Sequence, residues 1–310
     1  MNLPKLPPRK LRDRGFGVTV CIAAICESLQ KIVTVCDEMI TFGDVSVDGT
    51  AEKAAPVHTN WFTLYAANDI TDVRPIIEGT MLLLCSNKRQ KSMLEAGQCL
   101  STSFAKRNDE LVNYKVFRPN GFTGMDDFYE RGKKILSRAD FIRIRREALA
   151  TKPECVVLMG GFDFAGIGHL ILQEPVSPFQ CYDDPGFWAI GSGQHEAISA
   201  MLFHADKLRF SINNSEAECM YHLLAAKFMA ESNKLVGRKT FASVHSFNQN
   251  PRHLSESHIA TIRSAWERSF IPKLPRTVIK RIQDMLAMSD FVRRANEKLG
   301  ILPRKNRTTK

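Results

Sequence analysis

Thr19 opens the run "TVCIAAIC", Asp37 closes the run "IVTVCD", and Lys53 follows in "DGTAEKAAP". Hydroxyl, carboxylate and ammonium are the parts of a metal-free amide hydrolase. A threonine with a free α-amino group supplies nucleophile and base together. Such an amine titrates at about 8 and accepts the hydroxyl proton at neutral pH. A nearby ammonium favours the neutral amine and the developing alkoxide, and a carboxylate holds that ammonium in place. "YAANDI" ends a third apolar run just before a helical pattern. A strand end meeting a helix start offers backbone N–H groups to an oxyanion, and Asn68 is the candidate donor there. Taken singly, each residue has a plainer reading. Thr19 is then a strand residue, Asp37 a turn cap, Lys53 a solvated charge, Ser192 a helix cap between glycines and Glu231 a surface residue. Cys21 is an alternative nucleophile or, more plainly, a small buried residue. The functional reading rests on shared order and spacing.

The elements that must position these residues are legible in outline. Apolar runs at 19–26 and 32–36, separated by "ESLQK", read as a hairpin. "WFTLYAA" (61–67) is a third strand, and further strands fall at 154–162, 168–174, 187–193 and 240–246. From Asp69 the pattern turns helical, with Val73, Ile76, Ile77 and Met81 on one stripe. Residues 86–150 read as mostly helical and charged, including one helix opened by Asp126 and Asp127. Helices are also expected at 194–208 and 215–232, the second capped by Asn213, Asn214 or Ser215. Residues 254–300 read as amphipathic helix broken by "PKLP" at 272–275. Helices come in pairs between groups of strands. That order favours stacked sheets flanked by helices, an α+β class, over a doubly wound sheet.

Composition narrows the function classes. The 310 residues carry a net charge of +10, but residues 1–14 contribute +4 and residues 301–310 another +4. The part between is nearly neutral, which argues against a nucleic-acid partner. The 8 cysteines include no C-x-x-C pair, so neither a zinc site nor a disulfide framework is expected, and a reducing cytoplasm fits. The basic start followed by an apolar run lacks a good cleavage site for a signal peptide, and no stretch is long and apolar enough to span a membrane. Gly161 and Gly166 have phosphate-loop spacing, but Ile167 follows where lysine is required. His195-Glu196 lacks a second histidine, and Ser192 lacks the glycine of a nucleophile elbow.

In their order, "TVCIAAIC", "VTVCD", Lys53, "AAND" and "FWAIGSGQHEAISAML" resemble the proteasome β subunits and their bacterial relatives among the N-terminal-nucleophile hydrolases. The resemblance spans about residues 19–246. It implies a four-layer αββα sandwich over 19–250, with 86–150 as a helical insertion, 251–300 as a helical extension and 301–310 as a basic tail. By that match Thr19 is the nucleophile of a threonine-type peptidase, Asp37 and Lys53 tune its amine, Ser192 assists it, and Glu231 stands near a second supporting carboxylate. The Asn68 N–H serves the oxyanion, although asparagine replaces the family's glycine. The resemblance implies no metal and no organic cofactor. It implies peptide or unfolded-protein substrates, a ring or other homo-oligomer, and an ATP-dependent unfoldase that it serves.

Thr19 is internal as written. Residues 1–18 are then a basic leader, removed by cleavage at Val18–Thr19 or absent if translation starts at codon 18. Shifting the match by two residues puts Gly17 in the nucleophile slot and gives a catalytically inactive assembly subunit. A third reading is a small-amide amidohydrolase of the same superfamily.

Overall fold

The computed structural model describes residues 19–42, 45–48, 53–68, 70–86 and 91–270. The expected leader, the basic tail and the helix beyond residue 270 with its "PKLP" break lie outside them. Twelve strands occur among the described residues: β1 (Cys21–Cys26), β2 (Lys31–Asp37), β3 (Met39–Phe42), β4 (Val45–Asp48), β5 (Ala54–His58), β6 (Trp61–Ala67), β7 (Cys155–Phe162), β8 (Gly168–Gln173), β9 (Gln180–Cys181), β10 (Phe187–Ile190), β11 (Thr240–Ser246) and β12 (Arg252–His253). The longer helices are α1 (Ile70–Cys85), α2 (Met93–Val112), α3 (Arg138–Ala150), α4 (Gln194–Lys207), α5 (Glu216–Ala230) and α6 (Glu256–Phe270).

The strands form two five-stranded antiparallel sheets, in orders β10-β1-β2-β11-β12 and β5-β6-β7-β8-β9, plus the β3-β4 ribbon. The class is α+β. Strand alternation divides the apolar runs between two cores. Cys21, Ala23 and Ile25 of β1 meet Phe62, Leu64, Val156 and Leu158 of the other sheet in a shared core. The opposite parity of β7, Cys155, Val157 and Met159, packs with Val73, Ile76, Leu84, Leu100 and Phe104 of α1 and α2. α5 packs against β1 and β2. Central strands covered on both faces therefore read as continuous apolar runs. Each fully buried Ile or Leu contributes roughly 1.5–3 kcal/mol.

Several expectations need correction. Buried α1 residues are Asp72, Val73, Ile76, Thr80 and Leu84, whereas Met81 is exposed. Val73, Ile76 and Ile77 of the stripe do pack in the core between sheet and helices, and one turn on Thr80 takes the inward place expected of Met81, donating its hydroxyl to the Ile76 carbonyl, 2.7 Å away. The helix expected from Asp126 onward is broken. Leu136 is extended (φ −95°, ψ 152°), and Ser137 caps a new helix, accepting the Asp140 N–H at 3.1 Å. This region has its own aromatic core of Phe117, Phe122 and Phe128 with Val112, Val116 and Ile144. β5 was not expected. It contains Pro56, which a sheet tolerates at an edge, and β5 is the edge of its sheet. Of the three candidate caps, Ser215 starts α5, through a capping box with Glu218. Among the described residues no helix is long and apolar enough to cross a membrane.

α4 and α5 bring His204 and His222 together, with ring centroids 5.0 Å apart. Burial, then the charge of His222, pushes His204 down to about 4, and burial lowers His222 too. Both rings are neutral in the native state at pH 7. The unfolded chain binds more protons than the native one below about pH 6.5. Stability contributed by the neutral pair is therefore complete above about pH 6.5 and is lost as pH falls toward 4. Thermal unfolding is expected several degrees lower at pH 5 than at pH 7.5. A His204→Leu variant should show a flatter pH dependence over that interval.

Candidate active site

The β1–β2 hairpin explains the spacing of Thr19 and Asp37. Its register pairs Cys21 with Cys36, and the Asp37 N–H donates to the Val20 carbonyl at 3.1 Å. Asp37 thus stands across from Val20, diagonal to Thr19. Its carboxylate has no exposed surface and is bonded on both oxygens. Oδ1 accepts from the Thr19 hydroxyl (2.5 Å), the Val20 N–H (2.9 Å) and Lys53 Nζ (2.9 Å). Oδ2 accepts from the Gly237 N–H at 3.0 Å.

Lys53 immediately precedes β5, and its carbonyl accepts the Tyr65 N–H at 3.2 Å, which registers it against β6. Its ammonium donates to Thr19 Oγ1 at 2.5 Å as well as to Asp37. Hydroxyl, carboxylate and ammonium form a closed triangle with almost no solvent exposure: Thr19 is 2% exposed and Lys53 6%. A Thr hydroxyl that gives its proton toward a carboxylate while accepting from an ammonium is polarised toward alkoxide character.

The backbone of Thr19 is held from the other neighbouring strand. β10 pairs Ile190 with Cys21, so the turn that follows, Gly191-Ser192-Gly193, lies beside Thr19. Ser192 Oγ accepts the Thr19 N–H at 3.1 Å and lies within donor distance of the Thr19 carbonyl at 3.2 Å and the Leu235 carbonyl at 3.3 Å. The Gly193 N–H donates to the Thr19 carbonyl at 3.1 Å. Gly191 has φ +98°, and a Cβ there would stand 2.4 Å from the Thr19 carbonyl oxygen, so this close approach requires glycine. Cys21 Sγ is 4.0 Å from Thr19 Oγ1 and donates to the Tyr65 carbonyl at 3.5 Å, within the core between the sheets.

Two assignments made from the sequence need revision. The Asn68 N–H is donated to the Glu154 carbonyl at 3.0 Å and is committed to β7, so it does not point to an oxyanion site. N–H directions alternate along a strand. Ala67 therefore directs its N–H to the opposite edge, the one on which the Tyr65 N–H meets Lys53. Glu231, the C-cap of α5, is paired with Lys227 and Arg263, and none of its hydrogen bonds runs to Thr19. Its place beside the site is taken by residues that sequence reading passed over. Asn233 donates its side-chain amide to the Ser192 carbonyl at 2.9 Å, and Gly237 holds Asp37. Both lie in the "SNKLVG" loop between α5 and β11, where no periodicity marks them.

No group of three or more His, Cys, Asp or Glu side chains among the described residues is placed to hold a metal ion. No model of a known protein family matches the chain, and a search of curated proteins found no match.

Proposed function

We propose that the protein is a threonine-type peptidase of the N-terminal-nucleophile kind, acting through Thr19. The observation that carries this reading is the buried triangle in which Thr19 Oγ1 lies 2.5 Å from both Asp37 Oδ1 and Lys53 Nζ. In this reading the two sheets and their helices are the four-layer αββα sandwich of that class, extended by the helices after residue 250.

The chemistry begins once the peptide bond before Thr19 is gone. The Thr19 nitrogen then becomes an amine, with Ser192 Oγ 3.1 Å away to orient it. That amine takes the proton from Thr19 Oγ1 as the oxygen attacks the substrate carbonyl carbon. In this reading the Ala67 N–H, on the Lys53 edge of β6, serves as the backbone donor to the oxyanion, and the Lys53 ammonium offsets charge developing on Oγ1. The protonated amine gives its proton to the leaving nitrogen, the C–N bond breaks, and an ester on Thr19 remains. Water, deprotonated by the same amine, attacks that ester and releases the acid, and the hydroxyl regains its proton. No step calls on a metal or an organic cofactor. The reading takes peptides or unfolded proteins as substrates. It extends to a cytoplasmic ring or other homo-oligomer that serves an ATP-dependent unfoldase.

A second reading, an inactive assembly subunit, is favoured by one observation. With Val18 attached, the Thr19 nitrogen is an amide and the residue is 2% exposed. The test compares the chain starting at Thr19 with the full chain on fluorogenic peptides and on small amides. The peptidase reading expects peptide hydrolysis from the shorter chain. Hydrolysis of small amides alone would mark an amidohydrolase, and hydrolysis of neither the inactive subunit.

A further inference from the structure

Lys227, in the last turn of α5, has no exposed surface. Burying an ammonium costs several kcal/mol unless its donors are matched. All three are matched here. Lys227 Nζ donates to Glu231 Oε1 one turn away, to the Gly237 carbonyl at 2.8 Å and to the Arg238 carbonyl at 3.0 Å. Glu231 is in turn clamped by Arg263 of α6, whose two terminal nitrogens donate to its two oxygens at 2.6 and 2.7 Å. Arg263 also donates to the Arg238 carbonyl at 3.0 Å and stacks over the Phe228 ring, 4.1 Å from its centre. The backbone at 237–238 is thus gripped through its carbonyls by two cations. The same stretch gives its Gly237 N–H to Asp37 Oδ2.

We propose that Lys227, Glu231 and Arg263 form a positioning cluster for Asp37, fixing the Gly237 peptide so that Asp37 keeps Oδ1 aimed at Thr19 and Lys53. The cluster acts through backbone and touches neither Thr19 nor substrate. It gives Glu231 a role one layer behind the one its sequence position implies, and it ties Arg263, in the first half of α6, to the candidate site. Burial holds the Lys227 pKa below its ordinary value, with the Glu231 and Asp37 charges acting in the opposite direction. The geometric part stands on contacts alone, and its catalytic consequence rests on the peptidase reading.

The test uses three variants, Lys227→Met, Arg263→Gln and Arg263→Lys. Hydrogen exchange reads the geometric part without catalysis. The Gly237 amide should exchange about tenfold faster in Lys227→Met and somewhat less so in Arg263→Gln, with β1, β6 and β7 unchanged. On the chain starting at Thr19, kcat should fall about tenfold in both at nearly constant KM, with a displaced kcat–pH profile, and Arg263→Lys should restore most of it. If Lys227→Met does not fold, the less deeply buried end of the cluster decides through Arg263→Gln. Folded variants with wild-type Gly237 exchange and a wild-type kcat–pH profile would overturn the proposal. A wild-type chain inactive on every amide, yet with the expected exchange pattern, would sink the peptidase reading and leave the cluster standing.

Discussion

Thr19→Ala, in a chain that begins at residue 19, is expected to abolish peptide hydrolysis, a loss of roughly three orders of magnitude or more. Alanine removes the oxygen that both Lys53 and Asp37 contact at the head of β1. It leaves the free amine, the ammonium and the carboxylate, so any remaining rate measures what the site does without the proposed nucleophile. Thr19→Ser keeps the hydroxyl and should retain much of the activity. Cys21→Ala separates the neighbouring thiol from the hydroxyl. Cys21 sits in the core between the sheets, so its loss should cost some stability and leave the chemistry in place. Rates on one fluorogenic peptide across these three variants give the comparison.

The second large effect is on folding. Asp37 and Lys53 form an ion pair at 2.9 Å with side chains 0% and 7% exposed. Removing one partner from such a pair strands the other charge and costs about 3–5 kcal/mol. The two single replacements are not equivalent. After Lys53→Met, Asp37 still accepts from the Val20 N–H, the Gly237 N–H and the Thr19 hydroxyl. After Asp37→Asn, Lys53 loses its only carboxylate partner among the described residues and keeps the Thr19 hydroxyl. Asp37→Asn should therefore destabilise more than Lys53→Met. The double variant should cost less than the sum of the singles, because neither charge is then stranded. Urea unfolding midpoints at one pH test both inequalities. Equal and additive effects would mean that the pair is not coupled in the folded protein.

How far the sequence carries the fold depends on what each residue type signals. β1, β2, β6, β7, β8, β10 and β11 are visible because β-branched and apolar residues run together between turn-rich breaks. The 27–30 turn is legible as a break but not in its geometry. Glu27, Ser28 and Leu29 all adopt positive φ, sustained by the Asn214 and Ile212 carbonyls that accept the Glu27 and Ser28 N–H groups, a contact about 185 residues away that local pattern cannot encode. β5 escaped notice because Pro56 reads as a strand breaker, and only its edge position makes it acceptable. At the site, Thr19, Asp37 and Ser192 are accessible because each sits at or just beyond the end of a legible strand, whereas Lys53 borders the strand that is not legible and is reached through its order and spacing alone. Asn68 misled for a parity reason: adjacent residues in β6 direct their N–H groups to opposite edges, and sequence does not say which edge faces Lys53. Glu231 misled because α5 ends in a loop whose backbone, not its side chains, reaches Asp37.

The most direct measurement of the central claim is the mapping of a covalent adduct. A peptide epoxyketone closes a ring with the hydroxyl and the amine of one and the same residue, so it reports both halves of the proposed Thr19 chemistry at once. A single adduct per chain is expected, on Thr19, in protein that lacks residues 1–18, and none in Thr19→Ala. An adduct on another residue, or peptide hydrolysis by a chain that still carries Val18, would contradict that claim.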